Sequence, residues 1–156
     1  MQVSLLADFP ESYKQIAKWY FDEWASLVPN ATLEDVEEKV LARSTSRTDI
    51  PLAFVVHSKG QLVGAADLKF RENANYPEYE HWLGGVYVDS AHRGQGIANV
   101  LIEYAKRHAR KLAIPTLYLQ CESHNIALYQ KAGFVCLHQA KHHNMDTTIM
   151  SWDVSD

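Results

Sequence analysis

Apolar residues recur along this chain at two spacings, and the switching between them lays out alternating strands and helices. Val3 to Ala7 is a short apolar run and reads as a first strand. Pro10 follows, at a place where a helix can begin because its missing N–H is not needed there. Tyr13, Ile16, Ala17, Tyr20, Trp24 and Leu27 then recur every three or four residues, the spacing of a buried helix face. Trp19 lies off that stripe and reads as a packed rim residue rather than a cleft wall. Pro29-Asn30 breaks the helix. Thr32 caps a second one, with Asp35 as a variant capping-box partner and Leu33, Val36, Val40 and Leu41 as its apolar face.

Ser44 to Ile50 is a polar loop. Leu52 to His57 reads as a buried strand, Ser58-Lys59-Gly60-Gln61 as a hairpin turn, and Leu62 to Phe70 as the returning strand. Arg71 to Pro77 is another polar loop. Tyr79 to Val88 is the central strand, and its Gly84-Gly85 pair marks a bulge and a place where a ligand comes close to the backbone. A long helix follows, with Ile97, Val100, Leu101, Tyr104, Ala105, His108 and Leu112 on one face. His108 there reads as a packing residue. Lys106, Arg107, Arg110 and Lys111 read as a solvated face near the helix C-terminus. Thr116 to Cys121 is a strand and Ile126 to Ala132 a short helix. Asn125 is placed to cap that helix, and Gly133 to end it with Phe134 folding back on Tyr129. Phe134 to Gln139 and Thr147 to Val154 are the last strands, joined by a turn at Ala140 to Asn144. The predicted order is β-α-α-β-β-β-α-β-α-β-β in one domain over residues 1–156. The fold class is α/β, with parallel and antiparallel pairing mixed in one sheet.

Trp82 to Ala98 organises the rest. An apolar strand runs into Asp89-Ser-Ala-His92, then Arg93-Gly94-Gln95-Gly96-Ile97-Ala98, then a helix. The first N–H groups of a helix lack partners within it, and the helix dipole adds positive potential there. Glycines remove the Cβ atoms that would hold a phosphate off the backbone. The spacing is not that of a P-loop, and a dinucleotide fingerprint would need a third glycine where Ala98 and Asn99 follow.

Composition narrows the partners. At 47% hydrophobic and 22% charged, the chain has the make-up of an ordinary globular domain. A net charge of −4 without a basic run argues against a nucleic-acid partner. No stretch approaches the ~20 apolar residues of a membrane span, and the N-terminus has no basic n-region of a signal peptide. Cys121 and Cys136 have neither metal nor redox spacing and read as two free core thiols in a reducing cytoplasm. The histidines are scattered, so no metal is expected.

Two motifs carry a resemblance. Arg93-x-x-Gly96-x-Ala98 resembles the pyrophosphate loop of the GNAT superfamily of acetyl-CoA-dependent N-acetyltransferases. Asn125-Ile-Ala-Leu-Tyr129-Gln-Lys-Ala-Gly133-Phe134 resembles that superfamily's second motif, shortened by one residue between Asn125 and Tyr129. The resemblance is specific from Trp82 to Phe134 and implies a GNAT-like acyl-CoA N-acyltransferase fold. It implies acetyl-CoA held in a wedge between the strand ending at Val88 and the strand Thr116 to Cys121. The backbone of Val86, Tyr87 and Val88 would hold the pantetheine arm. The turn formed by Arg93, Gly94, Gln95, Gly96, Ile97 and Ala98 would hold the pyrophosphate, with Asn125 also on the cofactor side.

The reaction so implied moves an acetyl group from the thioester to a primary amine. Tyr129 matches the family's general acid, placed to protonate the leaving sulfur. A backbone N–H near Val86 is positioned to receive the developing oxyanion. For the base, Glu80 is preferred on the strand upstream of the bulge. His81 is its neighbour and alternative, since imidazole suits proton transfer near neutral pH. Adjacent strand residues face opposite sides, so one of them at most faces the cleft; a water chain would need neither. Asp22, Glu23, Glu72, Glu78 and Glu80 form either an acidic rim or ordinary surface charge. The expected acceptor is an amine, a small cationic one ahead of a peptide or protein, and a homodimer is compatible with the resemblance. A non-catalytic acyl-CoA sensor is the reading from another class, and it would often have lost the glycine loop or the tyrosine, both intact here.

Overall fold

The computed structural model describes residues 1–155; the Leu27 side chain, one position of the expected first helix face, lies outside the described residues. The elements are β1 (Gln2–Leu5), α1 (Tyr13–Glu23), α2 (Leu33–Arg43), β2 (Leu52–Ser58), β3 (Gln61–Phe70), β4 (His81–Val88), α3 (Ile97–Lys111), β5 (Thr116–Cys121), α4 (Ile126–Lys131), β6 (Val135–His142) and β7 (Met145–Asp153). Short 3₁₀ turns fill several connections. The order matches the pattern of the sequence, and the sheet is mixed as expected. It runs β1-β2-β3-β4-β5-β7-β6, antiparallel throughout except where β4 lies beside β5.

Helices cover both faces, which is why β2 is buried along most of its length rather than on alternate residues. Leu52, Phe54 and Val56 point to the cluster containing α3 and α4. Ala53 and Val55, one step out of phase, point to the cluster containing α1 and α2. The β2–β3 hairpin turns through Lys59 and Gly60 at φ 52° and 77°, the left-handed pair that matches strand twist. α2 starts where Thr32 Oγ1 accepts the Asp35 N–H at 3.1 Å. α4 ends in a Schellman arrangement: Phe134 N–H reaches Tyr129 O at 3.1 Å and Gly133 N–H reaches Gln130 O at 3.0 Å, with Gly133 at φ 96°.

Several local expectations are corrected. Trp19 is not a rim residue: it is 8% exposed and stacks on Tyr87 of β4, ring centroids 5.1 Å apart. Leu41 is exposed, because α2 packs through Val40. The buried stripe of α3 is Ile97, Leu101, Ile102, Ala105 and Ala109, so Leu112 falls outside the core. Lys106 is not solvated. It is 9% exposed, its ammonium lies 4.6 Å over the Trp152 ring, and it donates to Ala132 O at 2.7 Å. A carbonyl at the end of α4 needs a donor, and Lys106 is that donor. Cys121 is buried but Cys136 is exposed on β6. β6 continues to His142, and its turn to β7 is only His143 and Asn144, both at positive φ. No described helix is long and apolar enough to cross a membrane.

Candidate active site

The site begins at a fault in β4. Ala65 of β3 pairs with Tyr87, and Asp67 with Gly84, so two steps on β3 face three on β4. Gly85 and Val86 therefore oppose Ala66, a bulge that starts one residue later than the expected Gly84-Gly85. Each glycine answers to a different neighbour. A Cβ on Gly84 would lie 2.5 Å from Glu72 Oε1 and 2.9 Å from Lys69 Cε. Gly85 has φ 57°, and a Cβ there would meet the Tyr20 hydroxyl, which donates to Gly85 O at 2.7 Å. The double glycine therefore makes room for side chains arriving from α1 and from the loop after β3.

Beyond the bulge β4 parts from β5. The two strands share a single backbone pair, Trp82 with Tyr118. Tyr87 and Val88 keep partners on β3, Val86 sits in the bulge, and none of the three pairs on the β5 side among the described residues, where backbone groups call for a partner. The chain then turns through a 3₁₀ segment, Ser90–His92, in which His92 Nδ1 sits 2.8 Å from Asp89 Oδ2. Gly94 and Gly96 both have φ 81°, with open space where a Cβ would stand. Gly96 precedes the first turn of α3 and makes no side-chain cap, so the N–H groups there face outward. Gln95 is exposed and Ala98 half-buried, while the Ile97 side chain is in the core and can offer the site only its backbone. Arg93 turns back: Nε donates to Val88 O at 3.1 Å and its guanidinium lies 5.4 Å from the Tyr87 ring centre. The separated strands and the glycine turn with free N–H groups fit the pantetheine and pyrophosphate of an acyl-CoA.

Beneath the bulge runs a line of polar side chains. Arg43 on α2 pairs with Asp67 at 2.7 Å, and Lys69 lies 3.8 Å from Asp67 Oδ1, which has no hydrogen-bond partner among the described residues. Lys69 Nζ donates to Glu72 Oε1 at 2.9 Å. Gln120 Nε2 donates to Glu72 Oε2 at 3.0 Å, and Asn73 Nδ2 donates to Gln120 Oε1 at 3.1 Å. Burial works to lower Lys69, but Asp67 and then Glu72 more than offset it, and its ammonium is held above the ordinary value. Burial and then Asp67 raise the Tyr20 phenol, burial and then Cys121 raise that of Tyr129, and Glu72, its side chain 14% exposed, adds to both. Burial holds His142 on β6 below its usual value, with Glu72 opposing and His143 and Lys69 reinforcing. The charge of this one carboxylate is therefore felt on α1, β3, α4 and β6.

The residues singled out from sequence divide accordingly. Val86, Tyr87 and Val88 lie where β4 leaves β5, and Arg93 ties the turn that follows back to Val88 and Tyr87. Tyr129 is buried at the start of the Schellman turn, its ring edge-on to Phe134, and its hydroxyl has no hydrogen bond among the described residues. Asn125 makes no side-chain cap to α4. It closes a 3₁₀ turn, Ser123–Asn125, with helical backbone at φ −99° and ψ −5°, so its side chain is not committed to the helix. Glu80 is not beside the bulge. Its carboxylate is 55% exposed and lies 3.5 Å from Arg71 Nη2, while His81 packs on the exposed Phe70 ring. The carboxylate at the bulge is Glu72, which from sequence reads as one of several rim acids. The signal for it was the glycine pair itself, since two missing side chains on a buried strand leave room for two large groups opposite.

The family model for GNAT acetyltransferases matches residues 4–134. The chain belongs to the GNAT family. This family's chemistry is acetyl-CoA-dependent N-acetyl transfer, and the fold agrees. An aminoglycoside 6'-N-acetyltransferase solved with coenzyme A superposes with a TM-score of 0.74 at 16% identity, covering 99% of this chain and 97% of that one. An N-acetyltransferase from Staphylococcus aureus Mu50 gives 0.74 at 21%, covering 99% of each. A ribosomal-protein-alanine N-acetyltransferase from Brucella melitensis gives 0.74 at 22%, covering 98% and 99%. A comparison with curated proteins gives no match. At these identities the likeness of this GNAT chain to the solved structures is one of fold.

Proposed function

We propose that this GNAT protein acetylates a primary amine of a small molecule, with Glu72 as the base and Tyr129 as the acid. The observation that carries the reading is the placement of Glu72 against Gly84, at the point where β4 leaves β5. Acetyl-CoA supplies the acetyl group, its C–S bond breaking as the C–N bond to the amine forms. Val86, Tyr87 and Val88 hold the arm of the donor through backbone groups, and the turn Arg93, Gly94, Gln95, Gly96, Ile97 and Ala98 holds its pyrophosphate. Asn125, free of capping duty, faces the same donor. Glu72 takes the proton that the amine must lose. Tyr129 gives its proton to the sulfur, and burial keeps that proton on the phenol until it is needed. The base is assigned to Glu72 rather than Glu80 because a base must be within reach of the reacting nitrogen.

A small acceptor is favoured by two contacts that hold the loop before β4 against β5 and β6. Asn73 ties the loop after β3 to β6 through Lys141 O at 3.1 Å, and Tyr79 stacks on Tyr118 with centroids 4.3 Å apart. The test is release of CoA thiol from acetyl-CoA with kanamycin, spermidine and an N-terminal-alanine peptide as acceptors. Turnover with a small amine, reduced about a hundredfold or more in Glu72→Gln, supports the reading. Turnover confined to the peptide overturns the small acceptor, and an unchanged rate in Glu72→Gln overturns the base.

A further inference from the structure

Glu72 is aimed by a chain of hydrogen bonds whose direction is fixed at its far end. Asn73 is 2% exposed. Its Oδ1 accepts the backbone N–H of Asn75 at 3.1 Å, and its Nδ2 donates to the backbone carbonyl of Lys141 at 3.1 Å. A backbone N–H can only donate and a carbonyl can only accept, so the Asn73 amide has one permitted orientation. Its remaining Nδ2 proton meets Gln120 Oε1 at 3.1 Å. Gln120 must therefore present its oxygen to Asn73 and its NH₂ to Glu72 Oε2, at 3.0 Å. A donor fixed in that position holds the rotamer of the carboxylate.

We propose that Gln120 is a positioning residue for Glu72, with Asn73 setting which end of the Gln120 amide faces the carboxylate. This rests on Glu72 being the base, and it assigns two residues outside both family-like motifs to the reaction. Lys69 from β3 holds the other oxygen of the carboxylate, with Asp67 and Arg43 behind Lys69, and the Glu72 charge also acts on Tyr20 of α1, Tyr129 of α4 and His142 of β6. Lys69 supplies charge, whereas Gln120 supplies direction without charge. Without Gln120 the carboxylate is free to swing toward Lys69 and away from the gap between β4 and β5.

The test has an arm that needs no acceptor. In the full chain, the Gln120 side-chain amide resonances, assigned by their loss in Gln120→Met, are followed as pH rises from about 3 to 7, where carboxyl groups ionise. They are expected to move downfield in wild type and to stay still in Glu72→Gln, and Asn73→Ala is expected to remove most of the movement. An amide that titrates identically in Glu72→Gln or in Asn73→Ala overturns the proposal. The kinetic arm uses the best amine of the acceptor panel. Gln120→Met is expected to lower kcat/KM about tenfold, with its acidic limb displaced from that of the wild type, and to cost under about twofold in a Glu72→Gln background. An equal loss in both backgrounds with an unmoved limb marks Gln120 as merely structural and overturns the proposal. A full rate in Glu72→Gln sinks the base assignment while the resonance result on Gln120 stands by itself. Gln120→Glu, nearly isosteric, serves if Gln120→Met does not fold. It sets a second carboxylate against Glu72 and is expected to displace the limb as well.

Discussion

The Tyr20 hydroxyl donates to the Gly85 carbonyl at 2.7 Å, joining α1 to the bulge of β4 across 65 positions of sequence. The bond pins one of the two residues of β4, Gly85 and Val86, that the ladder leaves unpaired. Tyr20→Phe keeps the ring in the cluster of Trp19, Trp24 and Tyr87 and removes only this donor. The partly buried carbonyl loses its partner, and the expected cost is about 1–3 kcal/mol, read by urea denaturation. Calorimetry should also show weaker binding of coenzyme A, because Val86 follows directly on the loosened residue.

The two glycines are expected to fail differently. Gly84→Ala has an ordinary backbone but collides with Glu72 and Lys69, so kcat/KM should fall about a hundredfold while the thermal midpoint moves little. Gly85→Ala meets φ 57° and the Tyr20 hydroxyl together, so stability should fall by about 1–3 kcal/mol. Equal thermal shifts in the two variants would contradict the division of labour.

Arg93→Glu exchanges a cation that braces Val88 for an anion beside the turn. Coenzyme A binding should weaken at least about tenfold at low salt and recover in part as salt screens the repulsion. Unchanged affinity in calorimetry would remove the turn from the donor site.

Tyr129→Phe should lower kcat by about a hundredfold with coenzyme A affinity kept, as expected for a proton donor. Burial raises both the Tyr129 phenol and the Cys121 thiol, the latter up to about 11. Neutral groups raised in the folded state contribute stability that is complete below their unfolded values and fades as pH climbs through their folded ones. Unfolding midpoints should therefore hold up to about pH 8, where a free thiol begins to ionise, and decline above it. Cys121→Ala should soften the start of that decline.

The backbone features of the proposed donor side were legible in the sequence. The turn from Arg93 to Ala98, the hairpin at Lys59-Gly60 and the end of α4 at Gly133 each depend on backbone conformations that only certain residues allow, and those residues sit together in the chain. The acceptor side was not legible. Glu72 is placed through partners 47 and 68 positions from Asn73, and nothing local separates it from Glu78 or Glu80. Lys106 misled for the same reason, since Trp152 and Ala132 bury it and neither is near it in sequence. Asn125 shows the converse: a residue favourable for capping is released from that duty by the 3₁₀ turn it closes.

The single rung between Trp82 and Tyr118 has a consequence for the protein's lifetime. Four strands and three strands share one sheet through that rung, and the gap beside Val86 to Val88 is where a donor would supply the absent bonds. Whatever fills it binds the folded chain and not the unfolded one, adding about 2.7 kcal/mol at a hundred times its dissociation constant. Proteases that act on opened molecules would then spare this acetyltransferase when acetyl-CoA is plentiful and clear it in scarcity, making its abundance a gauge of the metabolite it spends.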